Sequence, residues 1–353
     1  MSETQAEQTP LHERPDIYAK RWFILGIMCL SLVMVVMAVA GLNVALPTIQ
    51  RDLGASGTEL LWIVDSYAIV FAGILLVAGA MGDKWGRKGA LQAGLVVFAI
   101  GASTAAVASG SVQVIVGRTI MGAGAAFIMP ATLSIITAVF PPEERTKAIA
   151  TWAGFAGGGA AIGPVVSGVL LTGWAFVPEF WWGAAFLVNV PVIIGVLIAV
   201  TIYTPKSRES RPQPLDPVGG VMSVTAIAAV LYAIIEGPEL GWLSGTVLGF
   251  FTSGIALAVA FVVWELRADH PMLPMNLFRL RPFSVGSGVI ALAFFVMFGF
   301  FLLQTLFLQF VLAYDALAAG VATLPLAASF VVAAPRSAGL ADRFGVEIGR
   351  AHV

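Results

Sequence analysis

Charge is what this chain has least of. Asp, Glu, Lys and Arg make up only 11% of its 353 residues, where a water-exposed domain carries about a quarter. With 59% apolar residues besides, the chain cannot cover itself with a hydrated surface. Cysteine is almost absent: Cys29 stands alone, which excludes an internal disulfide framework. The three histidines, His12, His270 and His352, are scattered through polar segments and the chain end, and no metal-ligand spacing or Ser/His/Asp set can be built from them. No catalytic residue, metal site or cofactor is therefore assigned, and the chain is not read as an enzyme. A net charge of −1 gives no electrostatic footprint for a nucleic acid. What these absences leave is a lipid bilayer as the surroundings.

A helix needs about 20 apolar residues to cross a bilayer, with every backbone group paired inside it. Charge-free runs of that length recur along the chain, and they predict ten helices, at roughly 22–47, 60–82, 89–108, 112–139, 148–172, 181–203, 218–236, 244–266, 283–312 and 316–337. Lys and Arg fall on alternate sides of that ladder. With the N-terminal tail in the cytoplasm, its side holds Arg14, Lys20, Arg21, Lys84, Arg87, Lys88, Arg145, Lys147, Lys206, Arg208 and Arg211, while the opposite loops up to residue 217 hold Arg51. That is the asymmetry of the positive-inside rule. The first 21 residues are polar, so the first helix is expected to be its own insertion signal.

Three stretches carry more than hydropathy. Between helices 2 and 3, Gly79-Ala80-Met81-Gly82-Asp83-Lys84-Trp85-Gly86-Arg87-Lys88, continuing to Leu91, packs charge and glycine into a short turn. Gly82 and Gly86 would supply turn conformations that a side chain penalises, and Asp83 would face the positive end of helix 3. In helix 5, Gly159, Gly163 and Ser167 form a small-residue face at i, i+4 spacing, with Pro164 and Gly168 on the adjoining ridge. Such faces let helices approach closely in lipid, and the proline bends the helix. Helix 4 places Arg118 about two turns inside the membrane, in Arg118-Thr119-Ile120-Met121-Gly122-Ala123-Gly124. An intramembrane charge is a functional-site hypothesis by default. Its counterpart is Asp65 in helix 2, at a compatible depth. The alternatives are an arginine fixed by backbone carbonyls and an Asp65 that snorkels to the headgroups.

Together these stretches resemble the loop, helix 4 and exporter-type helix 5 signatures of the major facilitator superfamily. The resemblance covers nearly all of residues 22–346 and implies an all-α polytopic membrane protein of the major facilitator fold. A weaker loop copy at Asp342, Arg343 and Gly345, with Ala338 where the first glycine would be, implies that helix 9 opens a second half. Helices 7 and 8 then form an insertion, as in the fourteen-span drug:proton antiporter branch; Glu236-Gly237-Pro238, Gly241-Trp242, Leu308-Gln309 and Ala313-Tyr314 also look like that branch. The domains would be a cytoplasmic tail (1–21), a six-helix bundle (22–203), a cytoplasmic loop (204–217), the two-helix insertion (218–266) and the first two helices of a second bundle (283–346). Asn43 and Pro47 look like the end of the family's helix 1 motif. The aspartate that usually stands five residues before the asparagine is Ala38 here.

What the resemblance implies is an exporter of small amphipathic compounds, drugs and antibiotics, across a bacterial inner membrane by proton antiport and alternating access. Its partners would be the substrate, protons, the bilayer and periplasmic adaptor proteins. The loop residues Gly79 to Lys88 would be a cytoplasmic gating latch, and Asp65 with Arg118 the coupling pair. A dedicated exporter of one metabolite would carry the same motifs, and a membrane enzyme or receptor would need intramembrane acidic or histidine clusters that the chain lacks. The last seven residues, Glu347 to Val353, back-translate to a common sequencing-library adapter followed by a stop. Genuine sequence is therefore expected to end near Val346, with roughly four helices missing and an inactive fragment as one outcome.

Overall fold

A computed structural model describes residues 10–173, 177–207 and 216–344 of the chain. Ten long helices account for most of them: α1 (Pro15–Leu53), α2 (Gly57–Trp85), α3 (Arg87–Ala106), α4 (Ser111–Val139), α5 (Pro142–Thr172), α6 (Ala184–Tyr203), α7 (Pro217–Leu240), α8 (Gly245–Glu265), α9 (Arg281–Leu306) and α10 (Ala316–Phe344). The first eight are long and apolar enough to cross a membrane, and α9 and α10 contain the apolar stretches Arg281–Met297 and Leu317–Leu326. The architecture is the all-α polytopic one that the hydropathy predicts. Of the expected site residues, Gly345 lies outside the described residues, as do Arg208 and Arg211 and the segment 347–353.

Most helices outrun the apolar stretches that announce them. α1 has 39 residues, about 58 Å at 1.5 Å per residue, roughly twice the hydrocarbon thickness. Pro15 occupies its first turn, where a missing N–H costs nothing, and Gly54 ends it at φ 65°. It runs through Pro47, where the sequence suggested an end. α2 opens with a capping box, the Ser56 side chain accepting from the Glu59 N–H and Glu59 accepting from the Ser56 N–H. α7 and α8 are capped by Asp216 and Ser244. α9 closes with a π turn over Phe307–Val311.

α1 to α6 share one apolar core. Ile24, Met28 and Leu32 of α1 meet Ile63 of α2, Leu95 and Phe98 of α3, Met121 and Ile135 of α4, Trp152 of α5, and Ile193 and Val200 of α6. Among the described residues, none of the buried members of that core comes from α7 to α10. Backbone contact tightens it: a Cβ on Gly124 of α4 would lie 2.5 Å from the Phe98 nitrogen of α3. In lipid, packing of this kind drives helix association.

Candidate functional site

The small-residue face of α5 is a seam between two neighbours. On one ridge, a Cβ at Gly163 would meet the Met37 carbonyl oxygen at 2.7 Å and the Gly41 nitrogen at 2.9 Å, and one at Gly159 would meet the Val33 oxygen at 2.9 Å, so this ridge lies directly on α1. Ser167, 3% exposed, places its hydroxyl oxygen 2.5 Å from where a Gly41 Cβ would be. On the adjoining ridge, Pro164 and Val165 meet α10, where a Cβ at Gly320 would lie 2.8 Å from the Val165 nitrogen. Gly168 is buried with them. α5 continues through Pro164. At the far end of the same pair, Arg21 of α1 makes a two-pronged bond to Glu144 of α5, Nε to Oε2 at 2.8 Å and Nη2 to Oε1 at 3.1 Å.

Arg118 is fully buried. Its Nε donates to the Ile63 carbonyl at 3.0 Å and its Nη2 to the Val64 carbonyl at 3.2 Å, both on α2. The arginine is held by backbone carbonyls, the first of the alternatives that the sequence left open. Asp65 is half-buried, and among the described residues no direct ion pair joins it to Arg118. The reason is geometric: Ile63 and Val64 present their carbonyls to α4, and Asp65 follows them on a different part of the helix circumference. Ala38, at the position of the family's usual acid, is 6% exposed and part of the apolar core; Asn43 is half-buried on the same helix and Pro47 is exposed.

At the opposite end of the bundle, the expected six-residue turn after α2 is a single residue. Gly86, at φ 117°, separates α2 from α3. Asp83 therefore does not precede a helix. It lies in the last turn of α2, where its Oδ1 accepts from Arg87 Nε at 2.9 Å. Gly82 is helical rather than a turn residue, and its place is explained by the Ala90 Cβ, 3.3 Å from where its own Cβ would be. Gly79 faces Pro130 of α4, and Lys84 is exposed. Lys88 Nζ donates at 2.8 Å to the carbonyls of Thr201 and Thr204, and the Arg87 N–H to that of Ser207, which ties the turn to the end of α6. Asp342 and Arg343 fall inside α10, not in a loop after it. Asp83 and Asp342 are thus both helical among the described residues.

Sequence reasoning missed a contact between α2 and α7. Trp62 Nε1 donates to Glu236 Oε1 at 2.7 Å, Thr58 bonds to Glu239, and the Trp62 and Tyr232 rings lie 5.8 Å apart. No spacing links an indole on one helix to a carboxylate some 170 positions later. Charged residues near a helix end read simply as a boundary.

Known proteins supply an independent comparison. Residues 28–350 match the Major Facilitator Superfamily. The methyl viologen resistance protein SmvA of Salmonella typhimurium is 36% identical over 331 residues, 93% of this chain and 66% of that protein. The multidrug efflux pump LfrA of Mycolicibacterium smegmatis is 35% identical over 342 residues, 97% of this chain and 66% of the pump. The chain thus spans about two thirds of the length of these relatives. Among solved structures, that of the peptide transporter POT in complex with sulfate superposes with a TM-score of 0.51 at 19% identity, covering 71% of this chain and 53% of that one; it bears on the fold alone.

Proposed function

The chain belongs to the major facilitator superfamily, and from that membership we propose that it exports small amphipathic compounds, drugs and antibiotics among them, by proton antiport and alternating access. The observation that carries this is the α5 seam. Its exporter-type residues are engaged on both ridges, Gly159, Gly163 and Ser167 against α1 and Pro164 with Val165 against α10. A helix wedged this closely between two others suits a pivot on which one half of a transporter rocks against the other. The names of SmvA and LfrA, a methyl viologen resistance protein and a multidrug efflux pump, support drugs and toxic small molecules as the substrate class.

In this scheme α1 to α6 form the first half, α7 and α8 the insertion of a fourteen-span transporter, and α9 and α10 the beginning of the second half. The turn at Gly79 to Lys88 is the gating loop and faces the cytoplasm. Asp65 exchanges the proton and Arg118 sets its surroundings. Such a protein resides in a bacterial inner membrane with its N-terminus inside. Orientation has its own check: single cysteines replacing Lys84 and Glu239 in a Cys29→Ala background, labelled with an impermeant maleimide on intact cells. Position 239 should react from outside and position 84 should not; the reverse pattern would sink the orientation.

Coupling is tested in proteoliposomes, by following proton movement when methyl viologen is added across an imposed pH gradient. Asp65→Asn should abolish coupled export and leave ligand binding largely intact, while Arg118→Ala should impair both. Undiminished coupling in Asp65→Asn would remove this carboxylate from the mechanism.

A further inference from the structure

Arg118 brings a guanidinium to a site with 0% exposure, yet only two of its three nitrogens are hydrogen-bonded. Nη1 has no partner. Two neutral carbonyls are a thin substitute for the water that a buried cation gives up. Against the guanidinium lies an aromatic face: the Tyr67 ring centroid is 4.4 Å from Arg118 Cζ, well inside the range at which a ring attracts a guanidinium. Tyr67 is 4% exposed, and its own hydroxyl is also without a partner. A hydrogen bond by the phenol therefore does not explain why a tyrosine is buried here. The ring face does.

The position follows from helix geometry. Side chains on a helix lean toward its N-terminus and cover the preceding turn. Ile63 and Val64 stand four and three residues before Tyr67, so the ring lies over the turn whose carbonyls receive Arg118. Gly122, one turn after Arg118 on α4, completes the fit. A Cβ there would collide with the Tyr67 carbonyl oxygen and lie 3.1 Å from the Tyr67 Cα, so only glycine lets α4 bring the arginine down to the α2 backbone. Phe71 stacks on Tyr67 with its centroid 6.1 Å away and its plane only 9° off parallel, which fixes the tyrosine ring in turn.

We propose that Tyr67 is the positioning residue for Arg118: its ring face clamps the guanidinium onto the carbonyls of Ile63 and Val64 and keeps it from closing onto Asp65. The consequence for transport rests on reading Asp65 and Arg118 as the coupling pair, because a clamped arginine leaves the carboxylate free to exchange a proton. The clamp itself is a matter of geometry and can be measured without transport.

The test places phenylalanine, and phenylalanines bearing one, two and three ring fluorines, at position 67 of the purified protein. Each fluorine weakens the ring face while keeping its shape. The readout is modification of Arg118 by phenylglyoxal, quantified by peptide mass spectrometry. Tyr67→Phe should leave the labelling rate as in the wild type, the fluorine series should raise it stepwise, and Tyr67→Leu should raise it about tenfold. Size-exclusion profiles guard against unfolding, and the fluorinated rings cover the case in which Tyr67→Leu does not fold. A flat series overturns the clamp, whether or not export survives. A graded series with proton coupling unchanged throughout upholds the clamp and counts instead against Asp65 and Arg118 as the coupling pair.

Discussion

Glycine does opposite things in the two parts of this molecule. In α3 to α5, Gly94, Gly101, Gly117, Gly122, Gly124, Gly159 and Gly163 each stand where another helix's backbone leaves no room for a Cβ. In α8 and α9, Gly245, Gly249, Gly286, Gly288 and Gly299 have no atom of the described residues within 4 Å of where a Cβ would be. The same residue is a packing device in one region and an open surface in the other. Small residues are thus not evidence of a tight helix contact until a partner helix is placed against them. α8 makes the point within one helix, since its Gly254 alone closes on α7, against Val230 and Ala226.

The sharpest way to break this comparison is to put the same side chain at one glycine of each kind. Gly124→Leu should cost about 3 kcal/mol or more, because the new atoms meet the α3 backbone and cannot be relieved by a rotamer change. Gly249→Leu should stay within about 0.5 kcal/mol of the wild type. Thermal unfolding in detergent, read by fluorescence-detected size exclusion, measures both. Equal losses would mean that α8 is packed as tightly as α4, and the contrast would be gone.

Gly320 asks a finer question, namely whether α10 is attached as firmly as the helices of the shared core. Gly320→Ala adds one methyl group 2.8 Å from the Val165 nitrogen and 2.9 Å from the Pro164 carbonyl carbon. About 1–3 kcal/mol of destabilisation is expected from such overpacking, together with reduced export, since α5 and α10 would be spread apart. A neutral substitution would show that α10 gives way easily and that the α5 seam is tight on its α1 side only.

What could be read from the sequence follows the same division. The ten helices were legible because length and hydropathy suffice to place a membrane span, and the α5 stripe because i, i+4 spacing suffices to place residues on one face. Their partners were not. Nothing in Gly159, Gly163 and Pro164 says that one ridge meets α1 and the other α10. Helix ends were misjudged wherever a helix runs on into water: Asp83 reads as loop because charge leaves the bilayer there, yet the backbone keeps its helical bonds to Trp85. The environment of Arg118 was legible in kind and not in detail. Backbone carbonyls are invisible in a sequence, whereas Asp65 is conspicuous, so the eye pairs the two charges. Tyr67 carries no charge and lies in an apolar run, and went unmarked for that reason.

The smallest effect is expected at the turn between α9 and α10. Ala313 has φ 53° and is the non-glycine residue with positive φ among the described residues. It follows the π turn, where the Leu312 N–H bonds to the Phe307 carbonyl and the Tyr314 N–H to that of Leu308, at 3.1 and 2.9 Å. The left-handed residue is what lets Tyr314 reach back to close the helix, and Asp315 then caps α10 by accepting from the Ala318 N–H. An L-residue with a Cβ is strained there by about 1–2 kcal/mol, which glycine would relieve. Glycine also gives the unfolded chain more freedom, at a cost of about 0.4–1 kcal/mol, so the two effects nearly offset each other. Ala313→Gly should therefore stabilise the protein by only about 0.5 kcal/mol. Ala258→Gly, on the exposed side of α8 where the backbone is helical, should destabilise it by about 1 kcal/mol. One substitution, made at two exposed alanines, is expected to change sign with the backbone alone. A destabilised Ala313→Gly would mean that the left-handed turn is not populated and that α9 and α10 are joined in some other way.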